Sequence, residues 1–156
     1  NKASSTSFLE YLSARLSFVV GDIKKTNIYS SFPLSSRHAN AYFCDNNKEI
    51  YFANVHIGPI NWINRTSYFG RLIGLDSMRG KGLGTALTKE IINYSFLNLG
   101  LRKVSAGCSS LNIAAIKSNL KAGMYEEATL IKEKFHRGKF IDVKIFSALK
   151  DTWLNP

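Results

Sequence analysis

The sequence predicts a mixed α/β domain with a mostly antiparallel twisted sheet flanked by helices. Three observations predict it. A glycine-rich stretch from Tyr68 to about Leu97 reads as strand, tight turn and helix. Residues 40–57 and 126–149 each read as a hairpin. The helical segments do not alternate regularly with strands, which argues against a doubly wound parallel sheet. A chain of 156 residues, 45% hydrophobic, has one domain's worth of length and enough apolar content for a core.

Taken in order, Ser7 to Leu16 places Phe8, Leu9, Leu12 and Leu16 at helical spacing, with Ser7 as N-cap. Asp22 starts a second helix running to about Phe32, which Pro33 ends. Residues 33–39 read as a loop. Ala41 to Cys44 and Glu49 to Ile57 are strands joined by the turn cluster Asp45-Asn46-Asn47-Lys48, and Gly58-Pro59 breaks the second. Thr66 to Leu75 is the next strand. The helix after it carries Leu83, Leu87, Ile91 and Tyr94 on one stripe and ends near Asn98, with Gly100 as its cap. Leu101 to Ser109 is a strand, and Asn112 to Ala122 a helix closed by Gly123. Glu126 to Phe135 and Phe140 to Leu149 flank His136-Arg137-Gly138-Lys139, with period-2 alternation at Ile141, Val143 and Ile145. The chain opens on a helix-like segment without an initiating Met, so the single domain over 1–156 is expected to lack an N-terminal strand.

The segment Arg79-Gly80-Lys81-Gly82-Leu83-Gly84-Thr85 has the chemistry of a phosphate cradle. Three near-bare residues allow close approach to the main chain. The N–H groups at the helix start, with Arg79 and Lys81 beside them, suit a phosphate or pyrophosphate. It is neither of two familiar motifs. Gly74 stands one position too early to make a P-loop with Gly80-Lys81, and Leu87 takes the place of the third glycine of a dinucleotide fingerprint. The formal net charge of +10 fits an anionic ligand. Basic residues are scattered and no nucleic-acid-reading motif occurs, which disfavours a nucleic-acid module. Two cysteines give no disulfide framework and point to a reducing, cytoplasmic setting. No apolar run approaches a membrane span.

The spacing Arg-x-x-Gly-x-Gly at Arg79, Gly82 and Gly84 resembles the acetyl-CoA loop of the GCN5-related N-acetyltransferases, the GNAT family. Three further segments extend the resemblance: Gly58 to Arg65, Asn112-x-x-Ala115-Ile116, and Arg137 to Val143. They are similar to a branch acting on ribosomal-protein N-termini, spermidine and nucleotide-linked amino sugars. The resemblance implies a GNAT-like sheet and acetyl-CoA as co-substrate, with no metal. Main-chain groups of Ile73, Gly74 and Leu75 would pair with the pantetheine arm in the splay between this strand and the one at 103–109. N–H groups from Arg79 through Gly80, Lys81, Gly82, Leu83 and Gly84 to Thr85 would hold the pyrophosphate. Asn112 would bond the pantetheine, or serve as a plain helix N-cap.

One position departs from the family pattern. Many members carry a tyrosine seven residues after that asparagine to protonate the leaving thiolate, and here it is Asn119. The amide has no acidic proton but can bond to sulfur. Losing an acid against a thiol of pKa near 8.5 costs roughly 1.4–2 kcal/mol near neutral pH, which transfer survives. His56 is the first candidate base. Asn61, Tyr68 and Arg71 are candidate acceptor contacts. Few acidic residues and a positive chain favour an anionic amine, most simply a nucleotide-linked amino sugar, taken by a monomer or homodimer. Acetylation of a protein N-terminus and a non-catalytic CoA-binding domain are the alternatives.

Overall fold

The computed structural model describes residues 25–29, 36–45 and 48–154. They form one seven-stranded sheet in the order β1-β2-β3-β4-β5-β7-β6. The strands are β1 (Lys25–Tyr29), β2 (Arg37–Asp45), β3 (Lys48–Asn61), β4 (Thr66–Ile73), β5 (Lys103–Ser109), β6 (Tyr125–His136) and β7 (Lys139–Leu149). Three helices accompany them: α1 (Leu83–Leu97), α2 (Ile113–Lys121) and the short α3 (Lys150–Leu154). Every neighbouring pair is antiparallel except β4 and β5, between which α1 forms the crossover. The expected mixed, mostly antiparallel class is the one observed.

Several boundaries differ from expectation. Residues 25–29 are a strand, not part of a helix over 22–32. Thr26, Ile28 and Tyr29 suit a strand, and five register pairs with β2 satisfy the backbone that a helix would have satisfied internally. The loop expected over 33–39 gives way to β2 at Arg37. Gly58-Pro59, a cis peptide, does not end β3. The strand runs to Asn61, and the register with β4 slips between Ile57 and Ile60, so the residue without an N–H falls in an irregularity of the ladder. The Pro59 carbonyl accepts a bond from Ser67 Oγ at 3.2 Å. The helix expected over 7–16 lies outside the described residues.

The helix stripes and the second hairpin fall where the pattern put them. Leu87, Ile91 and Tyr94 are buried on α1. Thr88 and Ser95 are buried beside them, and their hydroxyls bond the carbonyls of Gly84 (2.6 Å) and Ile91 (2.7 Å). α1 ends at Leu97, capped by Asn98, with the left-handed Gly100 two residues on. Asn112 caps α2 by accepting from the Ala115 N–H at 3.1 Å. Trp153 of α3 packs edge-on to Phe96 and donates Nε1–H to Asn93 Oδ1 at 2.8 Å, tying α3 to α1. Among the described residues no helix is long and apolar enough to cross a membrane.

The core lies between the sheet and α1, with Phe52, Ile57, Val104 and Phe146 fully covered. Phe146 is on the strand inserted between β5 and β6 and so supports both. Truncating Phe146 to Ala is expected to cost about 3–5 kcal/mol, the usual penalty for emptying a packed aromatic site. Urea denaturation followed by circular dichroism measures it.

Candidate active site

The site begins with a ladder that stops early. β4 and β5 pair through Thr66↔Lys103, Ser67↔Val104 and Tyr68↔Ser105 and no further, although both strands continue. Their closed end is pinned: the Arg102 N–H bonds the Arg65 carbonyl at 2.8 Å, and Arg102 Nε bonds the Asn64 carbonyl at 3.0 Å. Beyond Tyr68 and Ser105 the strands part. β5 is held on its other side by seven register pairs to β7, and β4 by β3. The splay is therefore a fixed notch with strand edges for walls.

The edge of β4 facing the notch carries open main-chain groups. Ile73 opposes Ala53, and the Gly74 N–H bonds the Phe52 carbonyl at 2.9 Å. That pattern makes Ile73 and Ala53 a non-hydrogen-bonded pair, so the N–H and C=O of Ile73 point away from β3 into the notch. An extended ligand laid there would add as a strand. The Gly74 N–H is already committed to β3. The Ile73 carbonyl is partly engaged, because Arg79 Nη2 reaches it at 3.3 Å while Arg79 Nη1 pairs with Asp76 at 2.8 Å. Leu75 leads into the 3-10 turn Asp76–Met78.

The glycine loop follows immediately. Gly80 and Gly82 have φ of 76° and 79°, left-handed conformations that a side chain strains, and Gly82 is the N-cap of α1. The N–H groups of Thr85 and Ala86 both turn back to the Gly82 carbonyl, at 3.0 and 3.1 Å. The five N–H groups from Gly80 to Gly84 have no partner among the described residues. Lys81 is exposed beside them. Gly84 serves packing: a Cβ there would meet Ser118 Oγ at 3.2 Å and Ile73 Cδ1 at 3.5 Å, so its absence lets α1 approach α2 and β4.

Three side chains close the notch from the helix side. Arg71 Nη2 donates to Ser118 Oγ at 3.0 Å and to Asn119 Oδ1 at 2.9 Å, joining β4 to α2. Asn119 is fully buried. Burial lowers the Arg71 pKa to about 10, and nearby Cys108 works against that shift. Burial pushes the Cys108 thiol up, opposed by the positive charges of Arg71 and Lys144. Sequence analysis placed Arg71 and Asn119 in separate roles, and the structure brings them into contact. The available signal was strand alternation, which sets Arg71 on the same face as buried Phe69.

The same alternation separates the other candidates. His56 opposes Gly70, so His56 and Tyr68 lie on the sheet face opposite Arg71. His56 is half-buried and Tyr68 exposed. Asn61 stands at the far end of β4 from the loop, where its Oδ1 accepts from the Asn64 N–H at 2.8 Å and shapes the β3–β4 turn. Asn112 spends its oxygen on the cap of α2, leaving its amide N–H groups for a ligand. An open cavity of about 320 Å³ lies beside it at the end of β5, lined by Ser109, Leu111, Asn112, Lys134, His136 and Ile141. No cluster of three or more His, Cys, Asp or Glu placed to hold a metal occurs among the described residues.

A strand edge opened beside a glycine-rich helix start also carries the sequence relationship. Residues 21–124 match the model of the acetyltransferase (GNAT) family. The chain belongs to that family. GNAT enzymes use acetyl-CoA. Among relatives, the spermidine N(1)-acetyltransferase of Vibrio cholerae serotype O1 is 32% identical over 101 residues, covering 65% of this chain and 58% of the relative. An uncharacterized N-acetyltransferase, p20, of Bacillus licheniformis is 32% identical over 81 residues, covering 50% of this chain and 46% of the relative. The chain thus spans about half the length of these relatives. A solved structure of the Vibrio cholerae spermidine N-acetyltransferase in complex with CoA and spermine superposes with a TM-score of 0.72 at 27% identity, covering 78% of this chain and 70% of that one. A dodecameric structure of the same enzyme gives 0.71 at 27% identity, covering 78% and 69%.

Substituting Gly82 by Ala forces a Cβ onto a left-handed residue, at about 1–2 kcal/mol of local strain. If the loop binds pyrophosphate, CoA affinity should fall by roughly tenfold or more, since that strain equals about a decade in binding. Isothermal titration calorimetry with CoA, beside a melting curve, reads both effects.

Proposed function

We propose that this chain is an acetyl-CoA-dependent N-acetyltransferase that moves the acetyl group to a primary amine by direct attack. The observation that carries the reading is the unzipped β4–β5 pair beside five consecutive N–H groups without a partner among the described residues. The first accommodates an extended pantetheine arm, the second a pyrophosphate. The splay and loop form one continuous edge from Arg71 to Thr85. The same main chain thus binds both ends of the donor.

The chemistry needs a neutral amine, a site for the developing oxyanion and an outlet for the amine proton. A main-chain N–H at the notch edge, such as that of Ile73, is suited to the oxyanion. His56 is the proposed base, acting directly or through water from the opposite sheet face. Asn119 takes no part as an acid, since its oxygen is bound by Arg71 and its amide carries no transferable proton at useful pKa.

For the acceptor we infer an anionic amine, with a nucleotide-linked amino sugar as the best fit. A polycation needs carboxylates free to receive it, and among the described residues several of those on the strands beside the notch are engaged. Glu126 pairs with Lys144, and Glu127 with Lys103 and Ser147, while Asp142 holds the Lys132 N–H at a bulge of β6. The partners of Glu126 and Glu127 hold both carboxyls below their usual range. The cavity at the end of β5 presents Lys134 and His136 and no carboxylate. The specific observation favouring a polyamine instead is the spermidine acetyltransferase relative. The proposed working unit is a cytoplasmic monomer or homodimer. Light scattering separates these from a dodecamer such as the Vibrio enzyme forms.

Release of CoA thiol from acetyl-CoA, followed with a panel of UDP-amino sugars, spermidine and peptides, tests the acceptor. Turnover of the sugars above spermidine is expected, and reversing Lys134 to Glu should lower it by on the order of tenfold through lost charge complementarity. Turnover of spermidine alone would sink the acceptor reading and leave the donor reading intact. CoA binding without turnover of any amine would favour the non-catalytic alternative.

A further inference from the structure

We propose that Arg71 supplies, as a fixed cation, the stabilisation of the leaving thiolate that an acid would otherwise supply by protonation; this rests on the acetyl-donor reading of the notch. Four observations carry it. Tyr68 and Ser105 are the last paired residues of β4 and β5. Arg71 and Cys108 are each three residues further on, so they stand level with one another where the strands have begun to part. Their mutual electrostatic influence agrees with that placement. The guanidinium is therefore at the throat of the notch, two residues deeper than Ile73, whose main chain opens toward the donor.

The guanidinium is also rigidly held and only partly used. One nitrogen, Nη2, makes both side-chain bonds, to Ser118 and Asn119. Nε and Nη1 meet no acceptor among the described residues. The Phe69 ring centroid lies 6.0 Å from the Arg71 Cζ and lends a further weak attraction. Asn119 is nine-tenths or more buried, and its amide N–H groups have no partner among the described residues. A half-buried, desolvated cation with spare donors, fixed by a buried amide, is costly to build unless an anion arrives there. Asn119 is the position at which the resemblance sets an acidic tyrosine, so the charge is delivered at the place the proton would have come from.

The step balances without a proton from Arg71. The amine lone pair forms the new C–N bond to the thioester carbonyl carbon, and the C=O π pair moves onto oxygen. On collapse the C–S bond breaks, its pair stays on sulfur, and the amine proton leaves to the base or water. The thiolate pairs with the Arg71 guanidinium and takes a proton from solvent after release.

The test reads the thiol directly and needs no acceptor. CoA is bound to the protein in a Cys108→Ser background, and thiolate absorbance is titrated as a difference against the CoA-free protein. The bound thiol is expected to titrate at least one unit below the thiol of free CoA measured in the same buffer. In Arg71→Met it should return to that value or above, with CoA affinity changed by less than threefold and acetyl transfer slowed by on the order of ten- to a hundredfold. Should Arg71→Met not fold, Arg71→Gln keeps length and polarity without charge, and the same comparison applies. A bound thiol that titrates at its free value in the parent, or identically in parent and variant, overturns the proposal. Failure of CoA to bind the parent overturns the donor reading itself.

Discussion

The fold depends on a conflict between two strands that must pair and must also separate. β4 and β5 are parallel neighbours for three residues, and each is then claimed by a stronger antiparallel partner. The β3–β4 turn fixes where the pairing starts, because Arg102 bonds the carbonyls of Asn64 and Arg65. The helices settle how far the strands diverge. Gly84 lets α1 sit close to Ser118 of α2, and Arg71 reaches from β4 to that same serine. An opening in a sheet would ordinarily leave a row of unpaired backbone groups at a cost. Here those groups are the feature that a strand-like ligand can use.

Charge is distributed to match. The chain carries a formal +10, yet its acidic groups near the site are mostly neutralised in pairs on β6, β7 and the loop. Arg79 is an instructive case. It lies beside the glycine loop, and in this structure it bonds Asp76 and the Ile73 carbonyl. Both contacts are exposed and weak enough to exchange for a phosphate. Arg71 is the opposite case, desolvated and held by two neutral side chains that cannot cancel its charge.

Local signals were legible in the sequence, and long-range ones were not. The glycine loop, the α1 stripe, the Asn112 cap and the Arg137-Gly138 turn each follow from residues a few positions apart. They lie where the pattern put them. Residues 25–29 follow a capping Asp22 and precede Pro33, local signals of a helix, whereas the five-pair ladder of β1 with β2 is a tertiary fact. β3 was cut short because a proline usually ends a strand, and the register slip that accommodates Pro59 is invisible until both strands are in place. In the site, the two residues that meet across 48 positions, Arg71 and Asn119, carried no joint signature. Alternation alone puts Arg71 on the face of buried Phe69, and only its partner Asn119 explains a charge there.

The strand order has a consequence for how the chain acquires its site during synthesis. β7 follows β6 in the chain but lies inside it, between β5 and β6. Until β7 emerges, β5 has only its three pairs to β4, and β6 has no neighbour in the sheet. The β5 wall of the notch thus depends on a strand that comes after both α2 and β6 in the chain. α3, which holds α1 through Trp153, arrives later still. In chain order the glycine loop therefore precedes both of the elements that brace the notch around it.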